Sequence, residues 1–120
     1  AQGTTSTVMK RVNYFITSAS ELNELWKMIN TTTAPPKIDF KKNAIIAVFA
    51  GKQPTVGHLI EISKIEDSTV RNVSLTLVRP DTNCLVAQTA TAPYEIVAVP
   101  VTTLPLSHED TLVTNYCPRD

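Results

Sequence analysis

The sequence predicts an α+β domain, an antiparallel β-sheet or sandwich of about six to seven strands with one packed α-helix. Three observations lead there: a capped amphipathic segment at residues 18–29, short apolar or alternating runs from residue 43 onward, and no strand–helix alternation of the kind that builds parallel sheets. With 120 residues, of which 42% are hydrophobic and 18% charged, the chain has the composition of a packed globular protein. A single domain spanning 1–120 fits that length.

Residues 8–16 alternate, with Val12, Tyr14 and Ile16 on one side and Arg11 and Asn13 on the other, the period of a half-buried strand. Ser18 and Glu21 then stand in capping-box spacing. Leu22, Leu25, Trp26 and Ile29 follow at i, i+3, i+4 and i+7, so one apolar stripe runs along a short helix. Asn30, the Thr31-Thr32-Thr33 run and Ala34-Pro35-Pro36 end it, because proline removes a backbone donor and biases the preceding residue to extended geometry. Asp39 before Phe40 sets a turn through side-chain to backbone bonds.

Residues 43–50 are almost continuously apolar, as expected of a central strand covered on both faces. Residues 58–65 and 70–79 form an antiparallel pair. In the second, Val73, Leu75 and Leu77 alternate with Ser74 and Thr76, and Glu66-Asp67-Ser68-Thr69 is the hairpin link. Arg79-Pro80-Asp81-Thr82-Asn83 is a turn, and 85–91 and 94–101 are expected as two more strands, separated by Pro93. The tail 102–120 carries no periodicity that assigns it.

Eleven basic and eleven acidic residues cancel without forming runs, which excludes the long-range field that nucleic acid or an anionic membrane surface requires. The longest apolar stretch falls well short of the roughly 20 residues of a membrane-spanning helix, so no membrane insertion is expected. The sequence starts Ala1-Gln2-Gly3-Thr4 without an initiator Met, as after removal of a signal peptide, and we expect a secreted or cell-envelope location. Cys84 and Cys117 lie outside any zinc-ligand spacing and are either a disulfide or two separate thiols. Export favours the disulfide, worth about 4 kcal/mol in the chain-entropy model.

No nucleophile elbow, phosphate-binding glycine loop or His-Glu-x-x-His motif is present, and the glycines are Gly3, Gly51 and Gly57. His108-Glu109-Asp110 reads as a solvated or helix-starting acidic patch, since adjacent residues on a loop rarely converge on one ion. No catalytic residue, metal or cofactor is assigned. The segment that stands out is Gly51-Lys52-Gln53-Pro54-Thr55-Val56-Gly57-His58, which joins two strong strands and combines two glycines with a proline. It is a recognition loop or a plain hairpin connector.

Residues Trp26, Ile38-Asp39-Phe40, Ile45-Ile46-Ala47-Val48-Phe49-Ala50-Gly51, Pro54-Thr55-Val56-Gly57-His58, Ile60-Glu61-Ile62, Pro80, Asn83-Cys84-Leu85-Val86, Gln88 and Ala92-Pro93-Tyr94-Glu95-Ile96-Val97-Ala98-Val99-Pro100 occur in the order of a known family. Together they resemble the C-terminal domain of the bacterial protease complex subunit PrcB, with a resemblance core at 26–100. Where that family usually has glycine and tyrosine, this chain has Val56 and His58. The resemblance implies an exported accessory domain that binds and stabilises a protease. Because Pro54 fixes one backbone dihedral and Gly57 allows a positive one, we expect the preorganised loop Gly51, Gln53, Pro54, Thr55, Val56, Gly57 and His58 to be the partner-binding surface. Pro54-Thr55-x-Gly57 is also similar to the loop that chagasin-type cysteine protease inhibitors insert into an active-site cleft. Asp81 after Arg79-Pro80 departs from the Arg-Pro-Trp motif of those inhibitors.

Overall fold

A computed structural model describes residues 1–117. The elements in chain order are β1 (Gln2–Gly3), β2 (Val12–Ile16), α1 (Ala19–Trp26), β3 (Asn43–Phe49), β4 (Leu59–Asp67), β5 (Arg71–Pro80), β6 (Tyr94–Pro100) and β7 (Leu106–Asn115). They form a four-stranded sheet in the order β1-β6-β3-β2 and a three-stranded sheet in the order β4-β5-β7. The α+β sandwich expected from the sequence is therefore present.

The parity of β3 explains its continuous apolar run. Ile45, Ala47 and Phe49 point to one face and pack with Leu22 and Leu25 of α1, Ile16, Ile29, Tyr94 and Ile96. Ala44, Ile46 and Val48 point to the other and pack, with Ala50, against Ile60, Val73, Leu75 and Val99. The layers are thus helix, four-stranded sheet and three-stranded sheet. Each fully buried large aliphatic or aromatic side chain contributes about 1.5–3 kcal/mol, so β3, serving two cores, is the strand the fold depends on most.

Ser18 is the N-cap of α1 and accepts from the backbone N–H of Glu21 at 3.3 Å. The Glu21 carboxylate returns to the Ser18 hydroxyl at 3.0 Å and the Thr17 N–H at 3.3 Å, bonds that hold its pKa below the ordinary value. The helix stops at Trp26, three residues before the apolar stripe ends, and Ile29 reaches the core from an isolated bridge with Ser6. Trp26 is half-buried and its indole N–H donates to Thr33 O at 2.9 Å. Asp39 makes the expected turn: its carboxylate accepts from Lys41 N at 3.0 Å, and its carbonyl accepts from Lys42 N and Asn43 N.

β4 and β5 pair antiparallel, as expected, with Asp67 opposite Arg71 at the hairpin end. The connection is tighter than the sequence suggested, because Glu66 and Asp67 belong to β4. Arg71 is only 4% exposed. It takes both Asp67 carboxylate oxygens at 2.8 Å and donates to Pro100 O, which ties the hairpin to the end of β6. Hydrogen bonding within this pair raises the pKa of Arg71 and lowers that of Asp67.

Two expectations are corrected, and the tail gains an assignment. Residues 85–91 are not a strand: Leu85 is fully exposed, and the segment runs as an extended connection whose one bridge pairs Thr91 with Gln53. The tail, unassigned from sequence, contains β7, while 118–120 lie outside the described residues. β7 pairs with β5 in parallel, so the second sheet is mixed rather than antiparallel.

Candidate functional site

The 51–58 loop is not a hairpin connector. β3 and β4 belong to different sheets, so the loop carries the chain from one layer of the sandwich to the other. Gly51 begins it with φ 81°, and a Cβ there would lie 2.9 Å from Arg11 N. Both the left-handed backbone and the close approach of residues 9–11 require glycine. Lys52 N donates to Met9 O at 2.9 Å, fixing the same approach. Gly57 has φ 93° and lies against the Pro80 ring, where the chain turns into β4.

Between the glycines the loop is strapped to the 87–91 segment. Gln53 and Thr91 exchange backbone bonds of 2.8 and 3.0 Å, Val56 N donates to Ala87 O at 3.2 Å, and the Thr91 hydroxyl donates to Thr55 O at 2.9 Å. Within the loop, Gln53 Nε2 donates to Ala50 O at 3.2 Å and the Thr55 hydroxyl to Val56 O at 2.9 Å. These bonds satisfy polar groups that a mobile loop would leave to water, so the main chain is preorganised. Lys52, Pro54 and Gly57 are exposed, whereas Gln53, Thr55, Val56 and His58 are half-buried.

Gln53, Pro54 and His58 line a groove of about 350 Å³, completed by Ala50, Leu59, Leu77, Val78, Arg79 and Leu112. Thr55 and Val56 are engaged instead with 87–91. Partial burial lowers the pKa of His58, so the ring is neutral at pH 7. The sequence pointed to the loop but not to the far wall of the groove. Leu112 lies in the unassigned tail, and only its place as an exposed leucine in a polar strand sets it apart.

Cys84 and Cys117 are bonded, with Cα atoms 5.4 Å apart. The bridge joins the segments that follow β5 and β7, beside a backbone bond from Asp81 N to Asn115 O. His108, Glu109 and Asp110 lie on β7, not on a loop or helix start, and strand alternation turns Glu109 away from the other two. His108 Nδ1 is 2.9 Å from Asp110 Oδ1, and Arg11 Nη2 is 3.1 Å from Asp110 Oδ2. Partial burial pushes the Asp110 pKa up, but the His108 bond and the Arg11 charge outweigh it, and the net shift is downward. Among the described residues no three His, Cys, Asp or Glu side chains gather where they would hold a metal ion.

Fold and site together define a class: a helix-backed β-sandwich domain that presents a strapped crossover loop beside an open apolar groove. Residues 44–100 match the family model described as PrcB C-terminal, the family that the residues quoted above resemble. The matched segment contains the 51–58 loop, β4 and all of β3 but Asn43, and leaves Trp26 and Asp39 outside. Neither a curated protein nor a solved structure matches the chain.

Proposed function

We propose that this chain is a secreted, non-catalytic protein-binding domain that acts as an accessory or stabilising subunit of an extracellular protease. Its contact surface is the loop Gly51, Gln53, Pro54, Thr55, Val56, Gly57 and His58. The observation that carries the reading is the family match, because the matched residues 44–100 contain this loop whole. The loop's backbone supports it: two glycines at positive φ and a strap of main-chain bonds fix its shape before any partner arrives, so less entropy is lost on docking. The Cys84–Cys117 bond suits an oxidising compartment.

The inhibitor reading uses the same loop but needs it to project into a cleft. Here the loop lies along 87–91 with Thr55, Val56 and His58 half-buried, which favours contact across a surface over insertion. One experiment separates the two. Tagged domain is incubated with the extracellular fraction of its source cells, captured protein is identified by mass, and protease activity is followed with time. An accessory subunit co-purifies with a protease and slows its loss of activity without lowering initial turnover. Turnover that falls at stoichiometric domain would establish the inhibitor instead, and no captured protease would remove the reading.

A further inference from the structure

The groove beside the loop has a chemistry of its own. Its floor and far wall are Leu59, Leu77 and Leu112, and Leu59 and Leu112 are 42% and 59% exposed, unusual for leucines that converge on one concavity. The volume, about 350 Å³, lies at the lower end for ligand pockets and suits one or two side chains rather than a large cofactor. Arg79 is the one full charge in the lining, and no carboxylate accompanies it. Its Nε donates to Thr114 Oγ1 at 3.2 Å, which orients the guanidinium and leaves the Nη donors without a partner among the described residues. His58 stands in the same lining and Lys52 is exposed on the adjoining loop, and among the described residues no carboxylate pairs with the guanidinium.

We propose that this groove receives an acidic, aliphatic segment of the partner protein, with an aliphatic side chain against Leu59, Leu77 and Leu112 and a neighbouring carboxylate on Arg79. The proposal rests on the protein-binding reading above and specifies what that surface recognises. Charge selects the occupant: a basic segment would be repelled, and a neutral one would forgo the charge-assisted pair that the exposed guanidinium offers a carboxylate. A nucleic acid would need a basic stripe, where the groove lining offers a single arginine. Pro54 and the glycine-fixed loop form a rigid near wall, so the groove exists before binding.

The test uses two peptides, acetyl-Gly-Leu-Glu-Leu-Gly-amide and its Gln counterpart, titrated into the ¹⁵N-labelled chain. The acidic peptide should shift the amides of Leu59, Leu77, Arg79 and Leu112 and the Arg79 Nε–H, bind at least about fivefold more tightly than the Gln peptide, and weaken with salt. Arg79→Gln should erase that preference while leaving the rest of the spectrum in place. Leu112→Asp, at an exposed position, should weaken both peptides. Equal binding of the two peptides, shifts that map elsewhere, or no shift at millimolar peptide would overturn the proposal. Its failure is distinguishable from failure of the protease reading, because the peptides need no partner. If Arg79→Gln still captures the protease while replacement of Pro54, Thr55 and Val56 by Gly, Ser and Gly abolishes capture, the groove is dispensable and the loop reading stands.

Discussion

Glu95 on β6 accepts a hydrogen bond from the backbone N–H of Ile62 on β4 at 2.8 Å, so a side chain of one sheet closes a gap in the other. The bond lies at the edge strand β4, beside the point where the β4–β5 register shifts between Ile62 and Lys64. A strand edge leaves backbone donors without a ladder partner. Glu95 lies on the face of β6 that looks toward the second sheet, next to Val97 and Val99, and supplies the acceptor there. We therefore expect Glu95→Ala to lose about 1–3 kcal/mol, the cost of an unsatisfied donor, and Glu95→Gln to lose less because an acceptor remains. Urea unfolding of the two variants gives the comparison, and equal losses would show that the bond contributes nothing specific.

Helix packing should rank by burial rather than by size. Leu25 is fully buried and Trp26 half-buried, so Leu25→Ala is expected to cost about 3 kcal/mol and Trp26→Ala about 2, below the 3–5 typical of a buried tryptophan. Denaturation midpoints at unchanged slope test the order. The sequence placed both residues on the packed stripe correctly, because period and capping are local. It could not show that the helix ends at Trp26, which leaves the ring at the helix end held by Thr33.

Local signals explain what was legible elsewhere as well. β3 was readable because burial on both faces demands an apolar residue at every position. β7 was not, since nearly all of its residues are exposed and Ser107, His108, Glu109 and Asp110 carry no alternation. Residues 85–91 failed in the opposite sense: Leu85, Val86 and Ala87 look strand-like, but they pair with neither sheet, and Ala87 and Thr91 instead strap the loop. The loop itself was identified from Gly51, Pro54 and Gly57, whereas its groove requires the parallel return of β7, which only tertiary structure supplies.

The Cys84–Cys117 bond should leave no free thiol in denatured, unreduced protein. For a sequence separation of 33, the chain-entropy model gives about 4 kcal/mol, to be read from Cys84→Ser with Cys117→Ser against the parent. Because β7 contributes little to the buried core, its amides should gain exchange on reduction well before those of β3. Uniform loss of protection across both sheets would contradict this.

Stability should fall on acidification in two stages. His58 has a lowered folded pKa, so the folded state favours the neutral ring, and its contribution is lost as pH falls from about 6.5 through that lower value. Asp67, Asp110 and Glu21 are also lowered, so their contributions are complete above the ordinary carboxylate range and disappear below it. Thermal midpoints between pH 7 and 2.5 should show His58→Gln flattening only the first stage and Asp67→Asn only the second. A profile unchanged by either substitution would remove these assignments.

The central claim is that the 51–58 loop makes the main contact with a protease partner. Replacing Pro54, Thr55 and Val56 by Gly, Ser and Gly removes the fixed dihedral and the apolar contact while keeping the Gln53–Thr91 backbone bridge. Affinity for the captured protease should be measured by calorimetry on parent and variant after their thermal midpoints are shown to agree. The expected result is at least about a tenfold loss, roughly 1.4 kcal/mol or more. Affinity retained within about threefold, under roughly 0.7 kcal/mol, would contradict it and leave the loop a connector between two sheets.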